Sequence, residues 1–225
     1  MVNRVFTPVL GRRLRVSEVD SSGKVIPGPE GNHIVTEGFI TVTLSAEVED
    51  GAEIIQKNAN GSLCVNEKQP NSFKRFNVDI ELCGVNPALL AMLTNAEVYP
   101  NSGDTQGIVV PEGPIEKWVA IELWTGIAGD GGASGYFLLP LLEGGVLGDI
   151  TVDGENAVTF SVTGASTKGG NQWGDGPWEV TLDASSQPSK LPEAIDPFDH
   201  LLIISTGLAV PAHATEPQAN PTATG

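Results

Sequence analysis

Basic side chains, histidines, cysteines and unbroken apolar runs are all scarce in this sequence of 225 residues. Lys and Arg number 12 against 28 Asp and Glu, for a net charge of −16. A chain that grips nucleic acid by its phosphates needs the opposite balance, because duplex DNA carries a charge every ~1.7 Å. The deficit is local. Nine bases balance nine acids in residues 1–76, whereas only Lys117, Lys168 and Lys190 face 19 acids in residues 77–225. A plain solvated surface and a surface that repels a polyanion both fit this asymmetry.

The other shortages exclude chemistry. Cys64 and Cys83 stand 19 positions apart, without a CxxC pair or a nearby histidine. A structural zinc site is thereby excluded, and reduced, partly buried thiols are expected. His33, His200 and His213 occupy no catalytic spacing. Apolar stretches such as residues 200–204 fall far short of the roughly 20 residues a membrane span requires. Pro8 and Gly11 interrupt the segment where an export signal would need continuous apolar residues, so a soluble, non-exported chain is expected.

No GxSxG elbow occurs, and the cluster Gly129–Gly135 lacks GxGxxG spacing and precedes a strand, so it reads as a surface loop. Residues 149–154 imitate the start of a calcium loop, but Thr151 at the third position and Phe160 at the twelfth break the pattern. Asp196, Asp199 and His200 read as a turn before the last strand rather than as metal ligands. No catalytic residue, metal or cofactor is expected.

What the sequence does hold is alternation. With 27 Gly and 16 Pro as punctuation, long helices have little room, and period-two patterns dominate. They mark strands near residues 12–19, 34–49, 73–83, 115–124, 136–142, 156–166, 178–183 and 200–205. In residues 34–49, Ile40, Val42, Leu44, Ala46 and Val48 share one side, while Thr41, Thr43, Ser45, Glu47 and Glu49 share the other. In residues 73–83, Phe76, Val78, Ile80 and Leu82 alternate with Arg75, Asn77, Asp79, Glu81 and Cys83. A single helix is expected over about 86–95, where Asn86 caps, Pro87 starts the first turn, and Leu89, Leu90 and Leu93 must pack on a sheet.

Residues 50–72 read as a projecting hairpin arm. Asn60-Gly61 suits a two-residue turn between Glu53–Asn58 and Leu63–Val65. Such an arm is either a lid or a handle for a neighbouring subunit. Residues 207–225, rich in Ala, Pro and Thr, read as a disordered tail after a domain of residues 1–206.

Several blocks in one order resemble the major tail tube proteins of long, non-contractile-tailed bacteriophages that infect actinobacteria. They are GRRLRV (11–16), TVTLSAEVEDGAEI (41–54), SLCVNEK (62–68), NSFKRFNVDIELCGVNP with the following ALLAML (71–93), IELWTG (121–126), SGYFLLP (134–140), residues 145–174 and DPFDHLL (196–202). The resemblance covers roughly residues 11–205. It implies a mainly β, sandwich or barrel-like tail tube fold with one short packing helix and the arm. It further implies a virion protein, assembled in the host cytoplasm, that forms hexameric rings stacked into a tube. Tape measure, tail terminator and distal tail proteins would be partners. Double-stranded DNA would pass through the lumen without specific binding, and no membrane or enzymatic activity is implied.

On that reading Glu47, Glu49, Asp79 and Glu81 are the candidates to line the lumen. Glu53, Ile54, Ile55, Asn60, Gly61 and Leu63 are the candidates for contact between rings. A soluble β-sandwich that binds carbohydrate through Trp118, Trp124, Trp173 or Trp178 is the alternative.

Overall fold

A computed structural model describes residues 5–84, 86–100, 106–150, 152, 155, 157–214 and 216–222. The first half of the chain forms β1 (Pro8–Glu18), β2 (Asn32–Thr36), β3 (Phe39–Glu49), β4 (Glu53–Lys57), β5 (Leu63–Lys68) and β6 (Ser72–Leu82). Then follow α1 (Pro87–Leu93), β7 (Glu97–Val98), β8 (Ile108–Val109), β9 (Trp118–Ile127), β10 (Asp130–Glu143) and β11 (Val146–Leu147). The last part forms β12 (Phe160–Thr167), β13 (Thr181–Leu182), β14 (Pro188–Ser189), β15 (Leu202–Thr206) and β16 (Gln218–Ala219). The protein is mainly β, as its alternation predicts.

One antiparallel sheet runs in the order β16-β2-β1-β9-β10-β12-β6-β3, with β15 on β10 and β11 on β12. It folds over at β10. Pro140 and Leu141 form a bulge there, since Leu139 faces Ile121 while Leu142 faces Val119. Beyond the bulge β10 exchanges β15 for β12 as its partner. Proline is tolerated in a strand at such a point, where a ladder bond is already lost. The result is two layers, β2-β1-β9-β10-β15 and β3-β6-β12-β11, with a shared core of Leu14, Val16, Ile34, Val78, Ile80, Ile121, Leu139 and Val162.

The first layer is buried on its other face too. Val19, Ala120, Trp124, Tyr136, Leu138 and Leu141 meet Trp173, Val180 and Leu191 from the long excursion between β12 and β15. This explains why neighbours of both parities are buried in β9 and β10. Tyr136 and Leu138 serve the second core and Leu139 the first, but past the bulge Leu141 and Leu142 exchange these roles.

Helix α1 begins as the sequence dictates: the Leu89 N–H donates to the Asn86 carboxamide oxygen at 3.2 Å, with Pro87 in the first turn. Leu89, Leu90, Met92 and Leu93 are buried in the shared core, which closes one end of the sandwich.

Four expectations need correction. The run 34–49 is two strands, because Glu37 and Gly38 turn the chain from the first layer into the second. The Gly129–Gly135 cluster is not a loop but the start of β10, reached through a tight turn that places Gly129 at φ 78°. Cys64 and Cys83 are free as expected but exposed rather than partly buried. Residues 207–214 and 216–222 are not a disordered tail: β16 pairs with β2, and Asn220 is buried. Of the calcium-loop imitation, Thr151, Asp153 and Gly154 lie outside the described residues.

Candidate assembly surfaces and channel face

The second layer turns its polar face away from the core. Register pairs Thr41 with Glu81, Thr43 with Asp79, Ser45 with Asn77 and Glu47 with Arg75 across β3 and β6. Cross-strand partners point to one side, so Glu47, Asp79 and Glu81 share a face, as their alternation predicts. A bulge in β6 sets two residues, Lys74 and Arg75, opposite Glu47. Both cations reach its carboxylate, at 2.8 and 2.6 Å. Hydrogen bonds from Arg75 and then Lys74 pull the Glu47 carboxyl down to about 2. β3 alternates without interruption past that point, so Glu49 stays on the polar face opposite Ser72.

Glu47 is therefore a neutralised carboxylate and not a bare one. The uncompensated acids of this face are Glu49, Asp79 and Glu81, the last accepting a hydrogen bond from the Thr41 hydroxyl at 3.4 Å. The face continues across β12 through Ser161, opposite Glu81, and Ser166, opposite Asn77. Ser166 also pairs with Glu143. Glu143 thus joins the acidic face, and the sequence pattern misses it because it follows the unbroken apolar run of residues 137–142. β12 keeps this register through a bulge at Thr163 and Gly164, where Gly164 takes φ 76°, a conformation that favours glycine.

The layer β3-β6-β12-β11 ends in two different edges. Neither β3, over 11 residues, nor β11 has a second strand partner among the described residues.

The arm is a hairpin of β4 and β5, which pair only with each other. All of their residues are exposed, including Ile54 at 50%, Ile55 at 53% and Leu63 at 58%. Consecutive Ile54 and Ile55 place apolar groups on both sides of the ribbon, so no single packing surface of the same chain could cover them. Its tip is a three-residue loop and not the two-residue turn expected. The Gly61 N–H donates to the Asn58 carbonyl at 2.9 Å, Gly61 takes φ 80°, and Asn58 and Ser62 close the hairpin at 2.8 Å. The Asn58 side chain adds acceptance from the N–H groups of Asn60 and Ser62. This is a type I turn followed by a left-handed residue, the commonest three-residue solution. At the base, the Gln69 N–H donates to Ala52 and the Asn71 side chain bridges Gly51 and Asp50.

The four tryptophans differ in exposure, and Trp178 lines a surface cavity with Pro177, Glu179 and Lys190. Trp124 and Trp173 are buried. Trp118 and Trp178 are half-buried and covered by cations, Lys168 at 4.5 Å and Arg15 at 3.9 Å from the ring centroids. Arg15 lies between Trp124 and Trp178 and donates two hydrogen bonds to Glu122, its direct cross-strand partner, at 2.5 and 2.6 Å. Tyr136 donates to the same carboxylate at 2.7 Å, and burial together with the Glu122 charge holds its hydroxyl well above the usual phenol range. This buried network joins three strands. Beside it His33 packs edge-on to Trp178 at 4.5 Å, and burial, then the Arg15 charge, push its imidazole down to about 4.

Asp196 and Asp199 form a turn, as expected. Asp196 accepts from the Phe198 N–H, and Asp199 accepts from the Asp196 N–H. His200 is used elsewhere, with Nδ1 2.7 Å from the Thr167 hydroxyl. Among the described residues no group of three or more His, Cys, Asp or Glu could hold a metal, and no helix is long and apolar enough to cross a membrane. Neither family models nor curated proteins show a match to this sequence.

Proposed function

We propose that this chain is the subunit of a phage tail tube. The observation that carries the reading is the arm, a well-formed hairpin with apolar residues on both faces and no contact surface of its own. A monomer gains nothing from such an element, whereas a neighbouring copy buries it. Apolar area removed from water contributes about 25 cal/mol per Å², so a repeated contact of this kind stabilises a stack.

The open edges β3 and β11 supply the lateral contact. They are different surfaces at opposite flanks of one layer, so pairing one with the other is head-to-tail and closes into a ring when the rotation permits. Closure also removes edges that would otherwise invite aggregation. In a hexameric ring the face bearing Glu49, Asp79, Glu81 and Glu143 surrounds a channel, where carboxylates repel passing double-stranded DNA and the cations Lys74 and Arg75 are engaged by Glu47. The arm then reaches the adjacent ring, and the tape measure, terminator and distal tail proteins complete the virion tail. The chain acts as structure and not as a catalyst.

Negative-stain electron microscopy of concentrated protein tests this. Rings or tubes with a central channel are expected. A persistent monomer at high concentration contradicts the proposal, and glycan binding by that monomer would favour the carbohydrate-binding alternative.

A further inference from the structure

The arm poses a packing problem that one kind of surface solves. Consecutive Ile54 and Ile55 point to opposite sides of β4, and β4 pairs with β5 alone among the described residues. Its outer edge is free. Such a strand is covered on both sides by the edge of another sheet, provided that edge is itself apolar on both sides.

Strand β15 has an edge of this kind. It pairs with β10 and with no second strand among the described residues. Leu202 and Ile204 pack on the second core, whereas Ile203, opposite half-buried Phe137, turns to the other side and is 45% exposed. Two longer edges do not qualify. β3 sets Thr41, Thr43 and Glu47 on its polar side, and the start of β1, which β2 does not cover, is broken by two bulges.

A groove of about 920 Å³ runs beside β15, walled by residues 191–197 of the excursion. Leu182 lies against Gly207 at one end of it. Leu191, Ile195, Leu202 and Ile204 give the groove an apolar lining. Its charged residues are Glu193, Asp196 and Asp199, and no cation lines it. Asp196 and Asp199 stand at the end where β15 begins.

We propose that the arm of a neighbouring copy seats in this groove, with β4 added antiparallel to the free edge of β15. The inference rests on the tail tube reading of the arm and names the arm's receptor. Pairing Ile54 with Ile204 and Ile55 with Ile203 sets apolar residues together on both sides of the new ladder, since cross-strand partners share a side. The same register carries Lys57 past Leu202 towards Asp199 and sets Glu53 opposite Ser205. Within its own hairpin Lys57 lies opposite Leu63 rather than a carboxylate, so the groove supplies the counter-charge. A parallel alignment would bring Glu53 to the acids instead, and like charges disfavour it. Each strand is five residues long, so the ladder uses the whole of both. It also closes two open edges at once.

A cross-link reads the register directly. Glu53→Cys and Ser205→Cys are combined in a C64S, C83S background, because both native residues are exposed and facing strand positions lie within disulfide reach. Particles assembled under reducing conditions are oxidised, denatured and run on a non-reducing gel. The docking predicts a ladder of covalent oligomers from particles and only monomers from dilute, unassembled chain. Particles that yield only monomers overturn it. Should this variant fail to fold or assemble, Ile203→Lys gives an independent reading, since a lysine on an edge strand blocks pairing. The docking predicts stacks that need about tenfold higher protein concentration or more, and an unchanged requirement overturns it. A native chain that forms no stacked particles at any concentration contradicts the tail tube reading itself, and the docking falls with it.

Discussion

Two stretches of this molecule follow the same rule of alternation and meet opposite surroundings. Where β1, β9 and β10 run between the two cores even polar positions are buried: Arg15 is 5% exposed, and Glu122 and Tyr136 are fully enclosed. In β4 and β5 even the apolar positions are open, with Ile54, Ile55 and Leu63 at least half exposed. Burial in a monomer is thus a poor guide to which apolar residues matter. The first stretch uses its side chains to specify a fold. The second leaves its apolar area uncovered, the area that the proposed stacking would bury.

Substitutions can break this contrast at either end. The largest effect is expected at Glu122. Glu122→Ala leaves the Arg15 guanidinium buried without its partner, which costs on the order of 3–5 kcal/mol. Chemical denaturation would show it, and a loss under 1 kcal/mol would mean that water enters the network. Next comes Leu90, which is fully buried in α1. Leu90→Ala should cost ~2–5 kcal/mol, and an unchanged melting temperature would make the helix peripheral.

A third effect depends on pH. His33 binds its proton less readily when folded, at about 4, than when unfolded, near 6.5. The unfolded chain therefore takes up the proton first, and stability is lost as pH falls from about 6.5 towards 4, by on the order of 2–3 kcal/mol. His33→Gln should flatten that part of the profile. Equal slopes with and without the histidine would assign the acid sensitivity to other groups.

On the polar face the expected effect on stability is smaller still. Asp79 is exposed and Glu81 half-exposed, so Asp79→Lys with Glu81→Lys should change folding by under ~0.5 kcal/mol per site. Genome ejection from particles carrying these lysines should slow or arrest, with relief at higher salt. Normal ejection kinetics would place this face outside the channel.

What the sequence revealed, and what it concealed, follows from how local each cause is. Alternation locates β6 and the run that contains β3, and it sets Glu47 with Glu49 and Asp79 with Glu81, because period two is a property of neighbouring residues, while Asn60-Gly61 marks the arm. The helix start was equally legible in Asn86 and Pro87. The break at Glu37 and Gly38 was not, since the apolar pattern passes through it almost undisturbed. Neither was the pairing of Arg15 with Glu122, which lie 107 positions apart and meet only because β1 and β9 are adjacent. The neutralisation of Glu47 depends on a bulge that brings Lys74 to the same side as Arg75. The docked C-terminal segment was hidden for a compositional reason. Its Ala, Pro and Thr resemble those of a disordered chain, and the residue that secures it is a single asparagine.

The contrast between the two regions is tested most directly by deleting residues 52–66 and measuring thermal unfolding beside sedimentation velocity. β3 and β6 keep their own ladder across the deletion, and the arm contributes no buried side chain to the fold. The account predicts that the dilute, unassembled chain melts within a few degrees of the full-length protein while the large stacked species disappear from the concentrated sample. A collapse of the melting temperature, or long tubes formed without the arm, would contradict it.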